Sequence, residues 1–386
     1  MIKVFITSSI IIILNSISFV YAQNPNAQTD SINSVQKKDT LSKFDRFNKK
    51  AEHLFKILPV PIYSYSTETG HLFGLAKYNI FRLVKNDTVS VASKVAGVFT
   101  FSTLGHISVG GGSTLNFGKG KYMFETGVGY KEFPEFILGI GNDVSRDNLE
   151  EIKVSKLSML FKFFVELAED LQIGPEYFFN NYFSIEKEDS SFLIKDDVLG
   201  KDGGFSSGLG LAVIYDKRDY RYNPSTGGYV SVSFDIYNKA FGSDFNYNNL
   251  TIDLRKYFNP WLNHVLAFQL YTEAKSGNVP FYELCMMGGP DRMRGYYKGV
   301  IRDKAIVDGQ FEYRMPVWKI FGATAFVGAG RVAQKFTELD FNGLWYSYGF
   351  GLRIMVDSEN RANLRIDFGF GQENARGVYI GFTEAF

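Results

Sequence analysis

The 386-residue chain is predicted to be all-β: a transmembrane antiparallel β-barrel of about 16 strands, preceded by a short N-terminal periplasmic segment. Three observations predict this. From about residue 59 onward, apolar and polar residues alternate with a period of two, which is the pattern of strands with two chemically different faces. The alternating segments run 10–13 residues, close to the roughly 9–11 needed to cross a bilayer at a tilt and longer than the usual strand of about 5–6. Connections between them alternate between long and short, as in barrels with long outer loops and tight periplasmic turns. Composition agrees: 37 Phe and 23 Tyr have to be placed without a second long apolar run.

The first element is an address. Residues 1–22, MIKVFITSSIIIILNSISFVYA, carry one Lys, an apolar centre at Ile10–Leu14 and the small-residue pattern Val20-Tyr21-Ala22, which reads as an export signal cleaved before Gln23. A retained membrane helix is the competing reading, and Ser and Asn residues inside the stretch disfavour it. Removing Lys3, its only charge, takes the formal charge from +1 to 0. Past residue 22 no run of 18 apolar residues remains, so no further spanning helix is expected. Residues 23–38 are polar and expected to be disordered. Leu41, Phe44, Phe47, Ala51 and Leu54 or Phe55 then recur at helical spacing behind Asp39/Thr40, a short amphipathic helix that either packs on the barrel or membrane or plugs a pore. Residues 23–58 are thus the periplasmic segment and 59–386 the barrel domain.

Alternation is clearest near the end of the chain. Leu344, Tyr346, Tyr348, Phe350, Leu352, Ile354 and Val356 form one face of a strand, opposite Trp345, Ser347, Gly349, Gly351, Arg353 and Met355. In 361–371, Ala362, Leu364, Ile366, Phe368 and Phe370 alternate with Asn363, Arg365, Asp367, Gly369 and Gly371. Val230, Val232, Phe234 and Ile236 do the same against Tyr229, Ser231, Ser233, Asp235 and Tyr237. A soluble sandwich would hide the apolar face and wet the polar one; a barrel in lipid does the reverse. The Gly- and charge-rich polar faces suit a lumen. The expected strands are 71–83, 90–102, 106–117, 121–130, 135–141, 152–167, 171–186, 206–218, 227–239, 245–258, 262–275, 303–315, 321–331, 344–356, 361–371 and 377–386. With these bounds the odd-numbered connections average about 11 residues and the even-numbered about 4. Tyr346, Tyr348, Phe382 and Phe386 are expected in interfacial girdles.

Chemistry-bearing motifs are sparse. The balance of 42 Lys+Arg against 41 Asp+Glu gives no basic face for nucleic acid. The single Cys285 excludes a disulfide framework and a thiolate zinc site, and reads as a small apolar residue. His53, His71, His106 and His264 are isolated, and no HxH, HExxH, CxxC, GxSxG or Walker pattern occurs. Gly110-Gly111-Gly112 falls inside a strand pattern, where glycine marks close packing or curvature. No cofactor, no metal and no enzymatic activity are therefore expected.

The most informative stretch is 284–314, LCMMGGPDRMRGYYKGVIRDKAIVDGQFEYR. A 27-residue outer loop, 276–302, carries Arg292-Met293-Arg294-Gly295-Tyr296 ahead of a strand whose inward face is Asp308, Gln310, Glu312 and Arg314. This resembles the BamA/TamA superfamily of outer-membrane assembly and translocation barrels (bacterial surface antigens). The resemblance implies that the sixth outer loop enters the lumen, with Arg294, Gly295 and Tyr296 as its Arg-Gly-aromatic motif and Glu312 as the wall acid. Further echoes are Tyr215-Asp216-Lys217-Arg218-Asp219 followed by Pro224 and Gly227-Gly228, the segment Leu364–Phe368, and a terminal-strand signal of Tyr379, Gly381 and Phe386 in which Glu384 stands where an apolar residue is usual. Two departures accompany it. Gly328 occupies the place of a second acid that the family sets against the loop arginine, which shifts the lock onto Glu312 with Asp308. The periplasmic POTRA domains such proteins carry have only the 33 residues of Gln23–Phe55 to occupy.

The resemblance implies a monomeric barrel in the outer membrane of a Gram-negative bacterium, in contact with outer-membrane lipid and with unfolded outer-membrane or exported client proteins. It would help proteins or lipids insert or cross, without covalent chemistry and without nucleic acid. A structural barrel or passive pore that keeps the fold alone is the alternative, and an envelope enzyme a distant third.

Overall fold

The computed structural model describes residues 59–66, 69–84, 87, 90, 93–220, 222–357 and 361–386. The expected signal, polar segment and amphipathic helix of 1–58 lie outside them. The strands are β1 (Val60–Ser66), β2 (Gly70–Phe81), β3 (Ser93–Ser102), β4 (Ile107–Phe117), β5 (Tyr122–Ile137) and β6 (Glu150–Ala168). They continue as β7 (Leu171–Glu186), β8 (Gly204–Asp216), β9 (Gly227–Tyr237), β10 (Tyr247–Phe258) and β11 (Val265–Gly277). After two short strands, β12 (Cys285–Met287) and β13 (Ile301–Asp303), come β14 (Ala305–Trp318), β15 (Phe321–Ala333), β16 (Trp345–Asp357), β17 (Ala362–Gly371) and β18 (Arg376–Phe382). Sixteen of them form one antiparallel sheet in which each strand pairs with its sequence neighbour, β11 passing directly to β14, while β12 and β13 pair only with each other inside the intervening loop. Helix is limited among the described residues to α1 (Phe192–Lys195) and single 3-10 turns.

The two faces have the chemistry that alternation predicts. Val230, Val232, Phe234 and Ile236 of β9 and Tyr346, Tyr348, Phe350 and Leu352 of β16 are exposed on the outside, where lipid replaces water as their solvent. Their neighbours Asp235, Ser347 and Arg353 are buried on the inside. Every strand of the sheet between β1 and β18 satisfies its backbone on both sides in the ladder, as hydrocarbon requires of a spanning sheet.

The count of 16 strands is met through two compensating differences. The expected strands 121–130 and 135–141 are one continuous β5, paired without a break to β6 from Tyr122↔Val165 to Ile137↔Glu150. Alternation lapses there because outward Glu132 pairs with Lys153 at 2.5 Å and accepts a bond from Tyr130 Oη. That outward polar pair belongs at the rim, where the outer face need not be apolar. Conversely, β1 precedes the first expected strand; at 7 residues with Pro61 inside it, its pattern is too short to read.

At the other end, the strand expected over 377–386 stops at Phe382. Thr383 adopts a left-handed φ of 67°, and Thr383–Phe386 turn into the lumen, with Glu384 N donating to Tyr222 O. Phe386 is therefore not in a girdle: it is buried with Tyr257, Val265 and Ala267. The side chain of Phe382 lies outside the described set.

The first and last strands come alongside each other, but among the described residues no ladder register joins them. Ile380, on the outward parity of β18, packs on Ile62, Leu72, Ala76 and Val98 from the inner face of β1–β3. The seam is lapped, with β18 inside β1. At the outer end, the loops after β5, β7 and β11 bury two apolar clusters, one around Tyr182, Leu193, Phe281 and Tyr282 and one around Met287, Met293, Tyr296, Ile301 and Trp345. These pack the loops against one another at the outer end of the sheet.

Candidate functional site

The site is built where the β11–β14 loop descends into the barrel. The hairpin of β12 and β13 pairs Cys285 with Asp303 and Met287 with Ile301, which fixes the root of the loop and projects 288–299 inward. Arg294 at its tip is fully buried. Its guanidinium is held by two acids on different strands: Nη2 donates to Glu312 Oε2 at 2.6 Å and Nη1 to Asp367 Oδ2 at 2.6 Å. The ring of Phe326 lies 3.5 Å from the guanidinium carbon, adding a cation–π contact in a dry setting.

Gly295 and Tyr296 complete the clamp. Gly295 has a φ of 119°, and a Cβ there would sit 2.8 Å from the Phe370 carbonyl carbon. On the wall opposite, a Cβ on Gly369 would come within 2.6 Å of the Arg294 carbonyl carbon. Only backbone against backbone allows this approach. Gly295 N donates to Tyr379 Oη at 3.0 Å, and that hydroxyl donates to Tyr296 O at 3.2 Å. Ser347 Oγ donates to Arg294 O at 2.5 Å, and Tyr296 Oη donates to Tyr346 O at 2.7 Å. Tyr379 is on β18, so the loop motif is hydrogen-bonded to the seam strand.

The wall acids lead onward. Glu312 Oε1 accepts from Arg314 Nε at 2.8 Å, and Asp367 Oδ1 from Arg353 Nη1 at 2.6 Å. Arg353 Nε donates to Glu384 Oε2 at 2.7 Å, Asn363 Nδ2 to Glu384 Oε1 at 2.7 Å, and Arg314 Nη2 to Phe386 O at 2.8 Å. One chain of charge-assisted bonds therefore runs from the loop tip through β14, β16 and β17 to Thr383–Phe386.

Against the sequence expectations, Arg294, Gly295, Tyr296 and Glu312 are brought together. Asp308 is not on Arg294; it pairs with Arg292 Nη1 at 2.5 Å, whose guanidinium carbon lies 3.4 Å over the Tyr271 ring. The second acid, absent at Gly328, is supplied by Asp367 on β17. Asp367 lies in the family-like segment Leu364–Phe368, and with Arg353 and Phe326 it has inward parity on strands whose other face is apolar, but nothing local in the sequence assigns these three to Arg294. Tyr215 is partly exposed on the outer face. Asp216 forks onto Arg218 (Oδ1–Nε and Oδ2–Nη2, both 2.7 Å), and Asp219 Oδ1 accepts from Ser225 N at 2.8 Å and Thr226 N at 3.1 Å. This second motif closes the β8–β9 turn, and its Pro224 O accepts from Arg314 Nη1 at 3.2 Å, which joins the turn to the wall acid Glu312. Tyr379 faces the clamp, Gly381 lies against Arg365, and Phe386 anchors the inward segment.

A sequence profile of the Omp85 superfamily domain matches residues 113–386. The chain belongs to the Omp85 superfamily. That membership carries with it a barrel of the Gram-negative outer membrane. Among solved structures, the chain is similar to BamA from Haemophilus ducreyi lacking POTRA domains 1–3, at 14% identity and a TM-score of 0.56, over 83% of this chain and 69% of that one. It is also similar to CdiB from Acinetobacter baumannii (11%, TM-score 0.52, 82% of this chain and 58% of that). CdiB from Escherichia coli matches at 9% and 0.54, over 83% and 61%. The chain thus spans less than two thirds of the CdiB chains. At these identities the likeness concerns the fold. No curated protein matches it by sequence.

Proposed function

We propose that this Omp85 barrel assists the insertion or translocation of proteins, or of lipids, at the outer membrane by mechanical rearrangement and without covalent chemistry. The observation that carries this reading is the attachment of the inward loop to the seam strand and its neighbour: Gly295 and Tyr296 to Tyr379 of β18, and Arg294 to Asp367 of β17. β18 laps β1 without a ladder, so its free edge is a place where an incoming strand could add its hydrogen bonds. A loop clamped on that strand sets its position, and release of the clamp would free the edge.

The partners in this reading are outer-membrane lipid and unfolded client chains. A photocrosslinking residue in place of Val378 or Tyr63, in cells actively exporting envelope proteins, should yield adducts with outer-membrane or exported polypeptides. Recovery of only β1–β18 intramolecular products during active export would overturn it. The alternative, a passive pore, predicts steady large conductance of the purified barrel in a planar bilayer; the packed outer loops and the clamped inward loop favour low, flickering conductance instead.

A further inference from the structure

On the outer face an apolar groove of about 770 Å³ crosses β10, β11, β14, β15 and β16. It follows two register rows. One runs from Leu270 through Gly309 and Ala329 to Tyr346, the other from Lys256 through Phe268 to Phe311. Gly309 and Ala329 form the floor, between the exposed side chains of Leu270 and Tyr346. Glycine inside a strand often marks the close approach of another group, and here the wall itself does not demand it. A Cβ on Gly309 would meet nothing nearer than Gln269 O at 3.7 Å.

The groove has a charged end. Lys256 lies near the periplasmic end of β10 and is exposed on the outward face. Its stem crosses outside Gly228, where a Cβ would stand 3.7 Å from Lys256 Cδ. Its Nζ lies 5.4 Å from the centre of the Phe258 ring. The side chain thus reaches along the wall toward the membrane interface, where exposed Phe258 and Trp261 have the position of an aromatic girdle. Among the described residues no acid lies within 4.0 Å of Lys256, whereas outward Lys153 and Arg331 are paired with Glu132 and Asp340. Strand tilt makes the rows climb away from this end, and Tyr346 lies at the outer start of β16. The four strand spacings from β10 to β16 span about 19 Å at about 4.8 Å each, against about 15 Å for the hydrocarbon of one leaflet.

We propose that this groove holds one anionic glycerophospholipid of the periplasmic leaflet, with an acyl chain along Gly309 and Ala329 and the phosphate on the Lys256 ammonium. The unpaired ammonium attracts the phosphodiester as a point charge, and the chain fills the apolar floor. A soluble phosphate would leave that floor empty. Lys256, Gly309 and Ala329 take no part in the loop clamp, so the site stands apart from the transport reading and rests only on the barrel facing lipid.

Native mass spectrometry of the purified full chain, released from nanodiscs of phosphatidylcholine with a minor share of phosphatidylglycerol, tests this on the wild type, Lys256→Met, Gly309→Leu and Lys319→Gln. Heat-modifiable mobility on gels verifies that each is folded; Met and Leu suit a lipid-facing position. Lys319 is exposed in the β14–β15 turn, its Nζ 4.9 Å from the centre of the Trp318 ring, and reports general attraction of anionic lipid to the rim. The wild type and Lys319→Gln should each retain one phosphatidylglycerol, and Lys256→Met and Gly309→Leu should lose it. Retention in all four proteins or in none, loss in only one of the two groove variants, or loss in Lys319→Gln as well would overturn the site. A lipid-free dimer abolished by Gly309→Leu would overturn it too, by showing that a second copy of the chain covers the groove.

Discussion

Arg294 is the residue on which the loop depends most. It brings a buried guanidinium to two buried carboxylates, which keep Arg314 and Arg353 as their other partners, so its removal should cost about 3 kcal/mol, the low end of the range for breaking a buried pair. Arg294→Ala should lower the urea stability of the folded barrel by about that amount, read by Trp fluorescence in detergent. Arg294→Lys should not restore it, because a single ammonium cannot span Glu312 and Asp367 at once. Asp367→Asn or Gly295→Ala should expose the loop to trypsin after Arg292 and Lys298, sites that stay uncut in the wild type. The motif made Arg294 and Glu312 legible in the sequence. Asp367 was not, because parity says only that a side chain faces inward; 73 residues separate it from Arg294, and nothing local says which lumen residues meet across that gap.

At the scale of a strand, the outer face is set by its solvent. Val232 sits midway along β9 on the outward face, so Val232→Arg should cost about 2–4 kcal/mol when unfolding is measured from lipid vesicles. The inward neighbour Ser231 should accept Thr with little change. The β12–β13 hairpin behaves oppositely, as a small dry core. Cys285 is fully buried there and its Sγ faces Lys304 O at 3.1 Å. Burial pushes its thiol well above the ordinary value, with Glu273 adding to the shift, so at pH 8 it stays protonated. Iodoacetamide should therefore label Cys285 only after the barrel unfolds, which makes alkylation a direct report on whether the loop root is seated. Strand existence was readable from alternation wherever both faces touch their intended solvents. It failed at the rims, where β5 carries Glu132 outward, and at β1, which offers too few residues for a period to register.

Across the whole molecule, the loop and the segment after β18 form one electrostatic unit. Arg353 touches both Asp367 and Glu384, and Arg314 both Glu312 and Phe386, so the energies of seating the two segments cannot be independent. The double variant Arg294→Ala/Glu384→Ala should lose less stability than the sum of the single variants, by about 0.5–3 kcal/mol. Additivity within a few tenths would show that the segments are held separately. The same coupling predicts that either single variant raises the single-channel conductance of the barrel, because each loosens the partner that remains.

Alternation, segment length and connection length by themselves determined a many-stranded wall and its inward and outward faces, because a bilayer imposes a period of two on every crossing; the inward loop was legible only through the resemblance of its Arg-Gly-Tyr motif to a known family. The tertiary structure alone decided who meets whom inside. A lumen wall offers many inward charges at similar heights, and which acid takes which arginine depends on the curvature that brings β14, β16 and β17 around the loop. It also decided that Thr383–Phe386 leave the sheet and turn inward, since Glu384 is drawn off the lipid-facing path by Arg353 and Asn363, groups that no local pattern places beside it.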